Sequence, residues 1–510
     1  MNRLSDLEYL RLSKWKRLGY RLKSFFAAVP LWFVKLFQRI AAGIAALGRG
    51  IASEAKMLVS TFLQGSWKTK TSYLIMGFGN IARGQVLRGV LFLLFEIVFA
   101  FYMITTGNHW LSMLPSLGKV GPTKEYNVLL DVYTTAYNDN SFKILLYGVL
   151  TLFFIVAFLY TWRLNVKQNQ ISEKILASGK KLKSGRDDLK SLVDDQFHKT
   201  LLALPLTGII LFTVLPIIFM ILVAFTNYDG AHNGYSNALF SWVGLDNLKT
   251  MLTWTNGEQG YAATFGEVLT WTLIWAFFAT FTNYFLGMLV AMAINKKGIR
   301  FKKGWRTILV LTIAIPQFIS LLYVSKMFAV NGLVNNMLMD LGIVDQAHIL
   351  PFWTDKTWAR ITVIIINIWI GIPYLMLITT GILMNIPADL YESARIDGAS
   401  GWQQYRKITL PYMLFVTGPY LLTSFTGNMN NFNVIYLLTG GAPTNNTAVV
   451  SGTVGYTDLL ITWLFKITTG AESQYYMASI IGILVFLVVA IISLVVYNLL
   501  PSIKNEEDFQ

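Results

Sequence analysis

Of 510 residues, 54% are hydrophobic and 14% charged, and the mean hydropathy is +0.51, which excludes an ordinary water-soluble domain. Cysteine is absent, which excludes a disulfide framework and a thiolate metal site, and His109, His198, His232 and His348 lie too far apart for a ligand pattern such as H-E-x-x-H. The net charge of +15 does not point to nucleic acid, because the lysines and arginines flank apolar stretches as membrane-bordering segments do.

Residues 1 to 23 are basic and polar, and 24 to 48 are apolar but broken by Lys35 and Arg39, one helical turn apart. This pattern predicts a helix lying on the cytoplasmic face with its basic stripe toward lipid headgroups. A signal peptide is the alternative, opposed by the charges inside the apolar run. "GFGNIARG" at 77 to 84 has neither a preceding strand nor the spacing of a dinucleotide loop, and reads as a surface turn before the first span.

Apolar runs of about 20 residues, the length that crosses about 30 Å of hydrocarbon, then recur. Eight are present: 88 to 106, 144 to 162, 204 to 226, 268 to 293, 307 to 329, 361 to 383, 413 to 435 and 477 to 500. With a cytoplasmic N-terminus, 34 of the 42 lysines and arginines fall on inside segments, which puts both termini in the cytoplasm. Glu96 in the first span is assigned an interhelical hydrogen bond, since only Lys326 offers another ionisable group within the spans. Residues 163 to 200 mix both charge signs and read as a solvated linker or short helix. The external segments, about 107 to 142, 227 to 266, 331 to 356 and 436 to 475, are too short for a sizeable domain. In the last of them "GYTDLLITWLFKI" has helical periodicity and is placed on the outer surface. No G-x-x-x-x-G-K-[ST] occurs, so any ATP is hydrolysed on another chain.

Between runs six and seven lies "NIPADLYESARIDGASGWQQYRKITLP", residues 385 to 411, which reads as a helix, a break and a second helix. Pro387 suits a first turn, Asp389 and Glu392 favour the positive end of the macrodipole, and Gly398 ends the first helix. Ser393, Ala394, Ala399 and Ser400 are small enough for another surface to approach. In run seven, "TGNMNNFNVI" carries four asparagines, of which Asn428 and Asn431 share a stripe with Ser424 while Asn430 and Asn433 point to the other side. Asn367, Gly371 and Tyr374 form a similar stripe in run six, beside a kink expected at Pro373. Such amides either face something wet or find partners within the protein, helix-to-helix hydrogen bonding being the second reading for each asparagine.

The 385–411 motif resembles the EAA loop of ABC importer permeases, with Glu392, Ala394, Asp397, Gly398 and Ala399 matching and Ser393 a small-for-small departure. "AFTNYD", "WVGLDNLKTML", "NIWIGIPYLMLITTGIL" and "GYTDLL" further resemble the maltose-type (MalF-like) permease subunit, closely over about 200 to 500. The resemblance implies an all-α integral membrane protein of about eight transmembrane helices with a type I (MetI-like) permease core. Its implied organisation is a basic N-terminal region at 1–85, two spans and a linker at 86–200, the core at 201–500 and a tail at 501–510. It implies a coupling helix against an ATPase, and a sugar site lined by Ile370, Gly371, Tyr374, Ser424, Asn428 and Asn431. Gly427 stands where the maltose-type pattern has an aromatic residue, removing a stacking platform or making room for a different sugar.

The implied assembly lies in a bacterial cytoplasmic membrane and holds a second, MalG-like permease, two ATPase subunits carrying ATP and Mg, and an extracytoplasmic sugar-binding protein. This chain itself is expected to bind no cofactor and to catalyse nothing. Its expected cargo is maltose or maltodextrins, with galacto-oligosaccharides or raffinose-type sugars as the same-class alternative. A membrane enzyme would need paired carboxylates or a metal set that the sequence lacks, and an ion-coupled transporter would need more ionisable groups in its spans.

Overall fold

Helix lengths follow from bilayer thickness, at 1.5 Å per residue. The computed structural model describes residues 38, 41–43, 45–121, 123–127, 131–136, 138–232, 239–253, 260–296, 298–446, 454–470 and 473–499. The surface helix expected at 24–48 falls largely outside the described residues. Seven described helices are long and apolar enough to cross a membrane: α1 (Val86–Met113), α2 (Ser141–Ala177), α3 (Phe197–Val223), α4 (Tyr261–Asn295), α7 (Lys356–Leu383), α9 (Gly401–Met429) and α12 (Tyr475–Asn498). Shorter helices lie among them in chain order: α5 (Lys302–Ala314), α6 (Gln317–Met327), α8 (Ala388–Ile396), α10 (Phe432–Leu438) and α11 (Leu460–Thr469). Between α1 and α2 a hairpin pairs β1 (Thr123–Asn127) with β2 (Val132–Ala136), Tyr126 opposite Tyr133.

Two of the expected straight spans are broken. Run five becomes α5 and α6, bent by 88°. Pro316 disfavours helical geometry at Ile315, which is extended with ψ 126°, so α5 stops at Ala314. Run seven ends at Met429; Asn430 leaves the helix, and Asn431 caps α10 by accepting a hydrogen bond from the Val434 amide.

The chain forms two compact units, Met1–Ser112 with Tyr147–Ile209 and Met113–Leu146 with Ile210–Gln510. In the first, "GFGNIARG" is not the surface turn expected, because Met76, Gly77, Gly79 and Asn80 are buried. Irregular backbone beside membrane helices needs internal hydrogen-bond partners, and α1 and α2 supply them. Glu96 accepts from the Met76 amide at 2.7 Å, Asn165 accepts from Gly77 and donates to the Ser72 carbonyl, and Trp162 donates to the Tyr73 carbonyl. Glu96 thus caps a loop. Buried Arg83 pairs with Glu173 at 2.8 Å and donates to Asn169, fixing the same loop to α2.

In the second unit α4 is the central element. Gly287 lets it approach α7, where an added β-carbon would lie 2.7 Å from the Leu375 Cβ. Trp271 and Trp275 of α4 pack with Val363 and Ile366 of α7 and with Val434, Ile435 and Leu438 of α10. Tyr284 and Met288 pack with Leu375, Met413 and Leu421. The helix expected on the outer surface is present as α11, but Trp463 is fully buried and packs with Met477 and Ile481 of α12, so it is a core element.

The loop between α10 and α11 is held by charges. Glu267 bonds Lys356 at 2.9 Å and accepts from Asn445, while Arg360 lies 4.5 Å from the Trp271 ring and donates to the Tyr456 carbonyl. Asp458, buried, accepts from Lys466 at 2.6 Å and from the Gly455 amide at 2.7 Å; burial pushes its carboxyl above the usual range, against the pull of Lys466. Gly441 crosses this pair with φ +89°, where an added β-carbon would collide with the Asp458 carboxylate and the Lys466 amine. Gly441→Ala therefore combines backbone strain of about 1–3 kcal/mol with disruption of a buried ion pair. The thermal midpoint of the solubilised protein is expected to fall by several degrees, whereas Gly440→Ala, strained at φ +57° but with open space at its β-carbon position and no ion pair to disrupt, costs less.

Candidate functional site

A cavity of about 430 Å³ lies in the second unit, walled by α4, the α5–α6 break, α7 and α9. This volume is within the range of small-molecule sites. The stripe on α7 delivers Asn367, Gly371 and Tyr374, with Trp369 and Ile370 beside them. The stripe on α9 delivers Ser424 and Asn428. Proline at 316 opens the wall between α5 and α6, where Thr312, Gln317 and Ser320 face the space. From α4 come Ala279 and Asn283. None of the lining residues carries a formal charge.

Five of the seven residues expected on a substrate path, Ile370, Gly371, Tyr374, Ser424 and Asn428, therefore line one space. Gly427 and Asn431 are not among its lining residues. Gly427 is exposed with nothing within 4 Å of where a β-carbon would sit. The stripe through Ser424, Asn428 and Asn431 is cut by the break at Asn430, so Asn431 supports Asn428 instead, donating to its Oδ1 at 3.3 Å. Asn428 is held from three directions: its amide donates to Thr280 Oγ1 at 3.0 Å, its side-chain oxygen accepts from Asn431, and its carbonyl accepts from the Trp275 indole at 3.1 Å. Asn430 donates to the Thr426 carbonyl, and Asn433 is exposed on α10.

Two amides in the wall are incompletely paired. Asn283 donates to the Asn367 carbonyl at 3.4 Å, but Asn283 Oδ1 and Asn367 Nδ2 are both buried without a partner. Each such atom costs about 1–3 kcal/mol when left unmade. Gly371 makes room for this pair, since an added β-carbon would lie 2.6 Å from the Asn283 Cγ. Asn283 escaped the sequence reading because one asparagine in a 35-residue helix has no periodic signature.

The second surface is α8. None of its residues is buried, and Leu390 and Ile396 are exposed, Ile396 by 86%. Nine residues are too few for a stable isolated helix. Its contact through Tyr391, whose hydroxyl bonds Thr409 at 2.8 Å, ties it to the base of α9. Its end is fixed by Gly398, at φ +75°, with the Ala399 amide donating to the Ala394 carbonyl and the Gly398 amide to the Arg395 carbonyl. Ser400 and Gln403 then form a capping box for the following turn. Helix, break and helix are as the spacing implied, and Glu392 projects from the exposed part of α8.

Asn428→Ala is expected to lower transport about tenfold, equivalent to about 1.4 kcal/mol, by removing a cavity amide and unpairing Thr280 and Asn431. Asn433→Ala is expected to stay near wild type. Initial uptake rates in membrane vesicles, normalised to the amount of assembled protein, check both.

Residues 283–505 match the family described as binding-protein-dependent transport system inner membrane component. The maltodextrin transport system permease protein MalC of Streptococcus pneumoniae is 33% identical over 442 residues, which are 85% of this chain and 96% of that protein. The galactooligosaccharides transport system permease protein GanP of Bacillus subtilis is 32% identical over 434 residues, 85% of this chain and 97% of that protein. A bacterial alginate ABC transporter, solved in complex with an alginate pentasaccharide-bound periplasmic protein, is 23% identical with a TM-score of 0.47, over 60% of this chain and 94% of that one.

Proposed function

The chain belongs to the family of binding-protein-dependent transport system inner membrane components, and from that premise we propose that it is one of two membrane subunits of an ATP-driven oligosaccharide importer. The observation that carries the cargo class is the uncharged cavity, which offers amides and hydroxyls beside Trp369, Tyr374 and Tyr420. A neutral sugar has hydroxyls for the former and apolar ring faces for the latter. A carboxylated sugar would find no cation in that wall. Maltodextrins are the first reading. Galacto-oligosaccharides are the second, favoured by the near-equal similarity to GanP.

The remaining partners follow from the surfaces. Exposed α8, with Glu392 and Ala394 within it and Asp397, Gly398 and Ala399 just beyond its end, is the docking element for one ATPase subunit. ATP and Mg are held there and not by this chain. A second permease completes the path, a sugar-binding protein delivers cargo outside, and both termini lie in the cytoplasm because the basic residues concentrate on that side. ATP binding closes the ATPases and displaces α8; Tyr391 passes the movement to α9, whose far end carries Ser424 and Asn428. Contacts that differ between the two states supply the coupling energy.

The test is uptake of radiolabelled maltose, maltotriose, raffinose and galactobiose by the purified complex in ATP-loaded liposomes with its binding protein. Saturable uptake of at least one supports the proposal, and its identity separates the two readings. Absence of uptake for all four removes the cargo class.

A further inference from the structure

We infer that Asn283 of α4 is a specificity-determining residue which, together with Asn367 of α7, reads a single hydroxyl of the transported sugar. The inference rests on the oligosaccharide reading above and adds to it a residue from a helix that neither stripe contains.

Both side chains are more than nine-tenths buried, at 5% and 6% exposure, and both line the cavity. Their unused atoms are complementary. Asn283 Oδ1 is an acceptor without a donor, and Asn367 Nδ2 is a donor without an acceptor. A sugar hydroxyl carries one O–H to give and lone pairs to receive. One such group, admitted by a small shift of the wall that closes over these two atoms, donates to Asn283 Oδ1 and accepts from Asn367 Nδ2, satisfying both at once. An ether oxygen matches less well, since it has nothing to donate.

The orientation is fixed by the surroundings. The Asn283 amide nitrogen is directed at the Asn367 carbonyl, and turning the amide over would set two oxygens against each other. The neighbouring Tyr284 is fully buried and its hydroxyl accepts from Thr417 of α9, which locks the rotation of α4 about its axis. Gly371 keeps the space that the amide occupies. A site held this firmly discriminates against a ligand lacking the matching hydroxyl, because the buried atoms are then left unpaired.

The experiment uses the intact complex in ATP-loaded liposomes and compares the best-carried sugar with its full set of monodeoxy analogues, for wild type, Asn283→Leu and Asn283→Ser. The same binding protein serves every sample, so its own preferences cancel between wild type and variant. Wild type is expected to carry one analogue about tenfold more slowly than the parent sugar. Asn283→Leu should slow the parent about tenfold and leave that analogue unchanged, collapsing the ratio toward one while preserving the ratios for the others. Asn283→Ser, which adds no bulk beside Gly371, gives the readout if the leucine variant does not assemble, and should reduce the ratio. A uniform loss on parent and every analogue marks Asn283 as a packing residue and overturns the inference, as does an unchanged ratio. Failure of wild type to carry any oligosaccharide is a separate result that removes the cargo reading, and the inference with it.

Discussion

Replacing Glu392 with lysine is expected to abolish uptake and to release the ATPase during purification, while leaving the chain folded. The fold is spared because α8 buries none of its own residues, so a charge at Glu392 disturbs nothing within this chain. Docking is not spared. Reversing one charge in a complementary interface sets like charges together at a cost of several kcal/mol, which lowers affinity on the order of a hundredfold or more. Ser393→Ala, on the same exposed helix, restores the commoner small residue and should change neither uptake nor co-purification. If Glu392→Lys retains both, α8 is not the coupling element.

The second large effect is at Gly371. A leucine there carries its β-carbon into the Asn283 amide and its remaining atoms into the cavity. Overpacking of this kind costs about 1–3 kcal/mol, which a membrane bundle tolerates, but the volume it takes comes from the substrate's space. Uptake should fall about tenfold or more with assembly and ATPase activity retained. Gly381→Leu, on the same helix and with nothing within 4 Å of its β-carbon position, should remain close to wild type. Equal losses at the two positions would mean that bulk on α7, and not the cavity, governs transport.

Much of this architecture was legible in the chain, since runs of apolar residues report bilayer crossing directly. Their continuity was not. Hydropathy averages over a window and is blind to a backbone break flanked by apolar side chains, so the 88° bend at Pro316 passed as a straight span. The proline rule was available there. In run seven the four asparagines read as two faces of one continuous helix, yet two of them form the break itself, Asn430 leaving α9 and Asn431 capping α10. "GFGNIARG" read as a surface turn because the groups that bury it, Asn165, Asn169 and Glu173, lie about 90 residues away in sequence. The site divides along the same line. Residues on α7 and α9 were visible as stripes, whereas Asn283 and the residues around Pro316 reach the cavity only through the packing of α4 and the bend.

The most direct test of an ATP-driven import path is the energy source of uptake. In liposomes holding the complete complex, sugar accumulation should require enclosed ATP and external binding protein, persist when ion gradients are collapsed by ionophores, and disappear with Glu392→Lys. Accumulation driven by a sodium or proton gradient in the absence of ATP would contradict it.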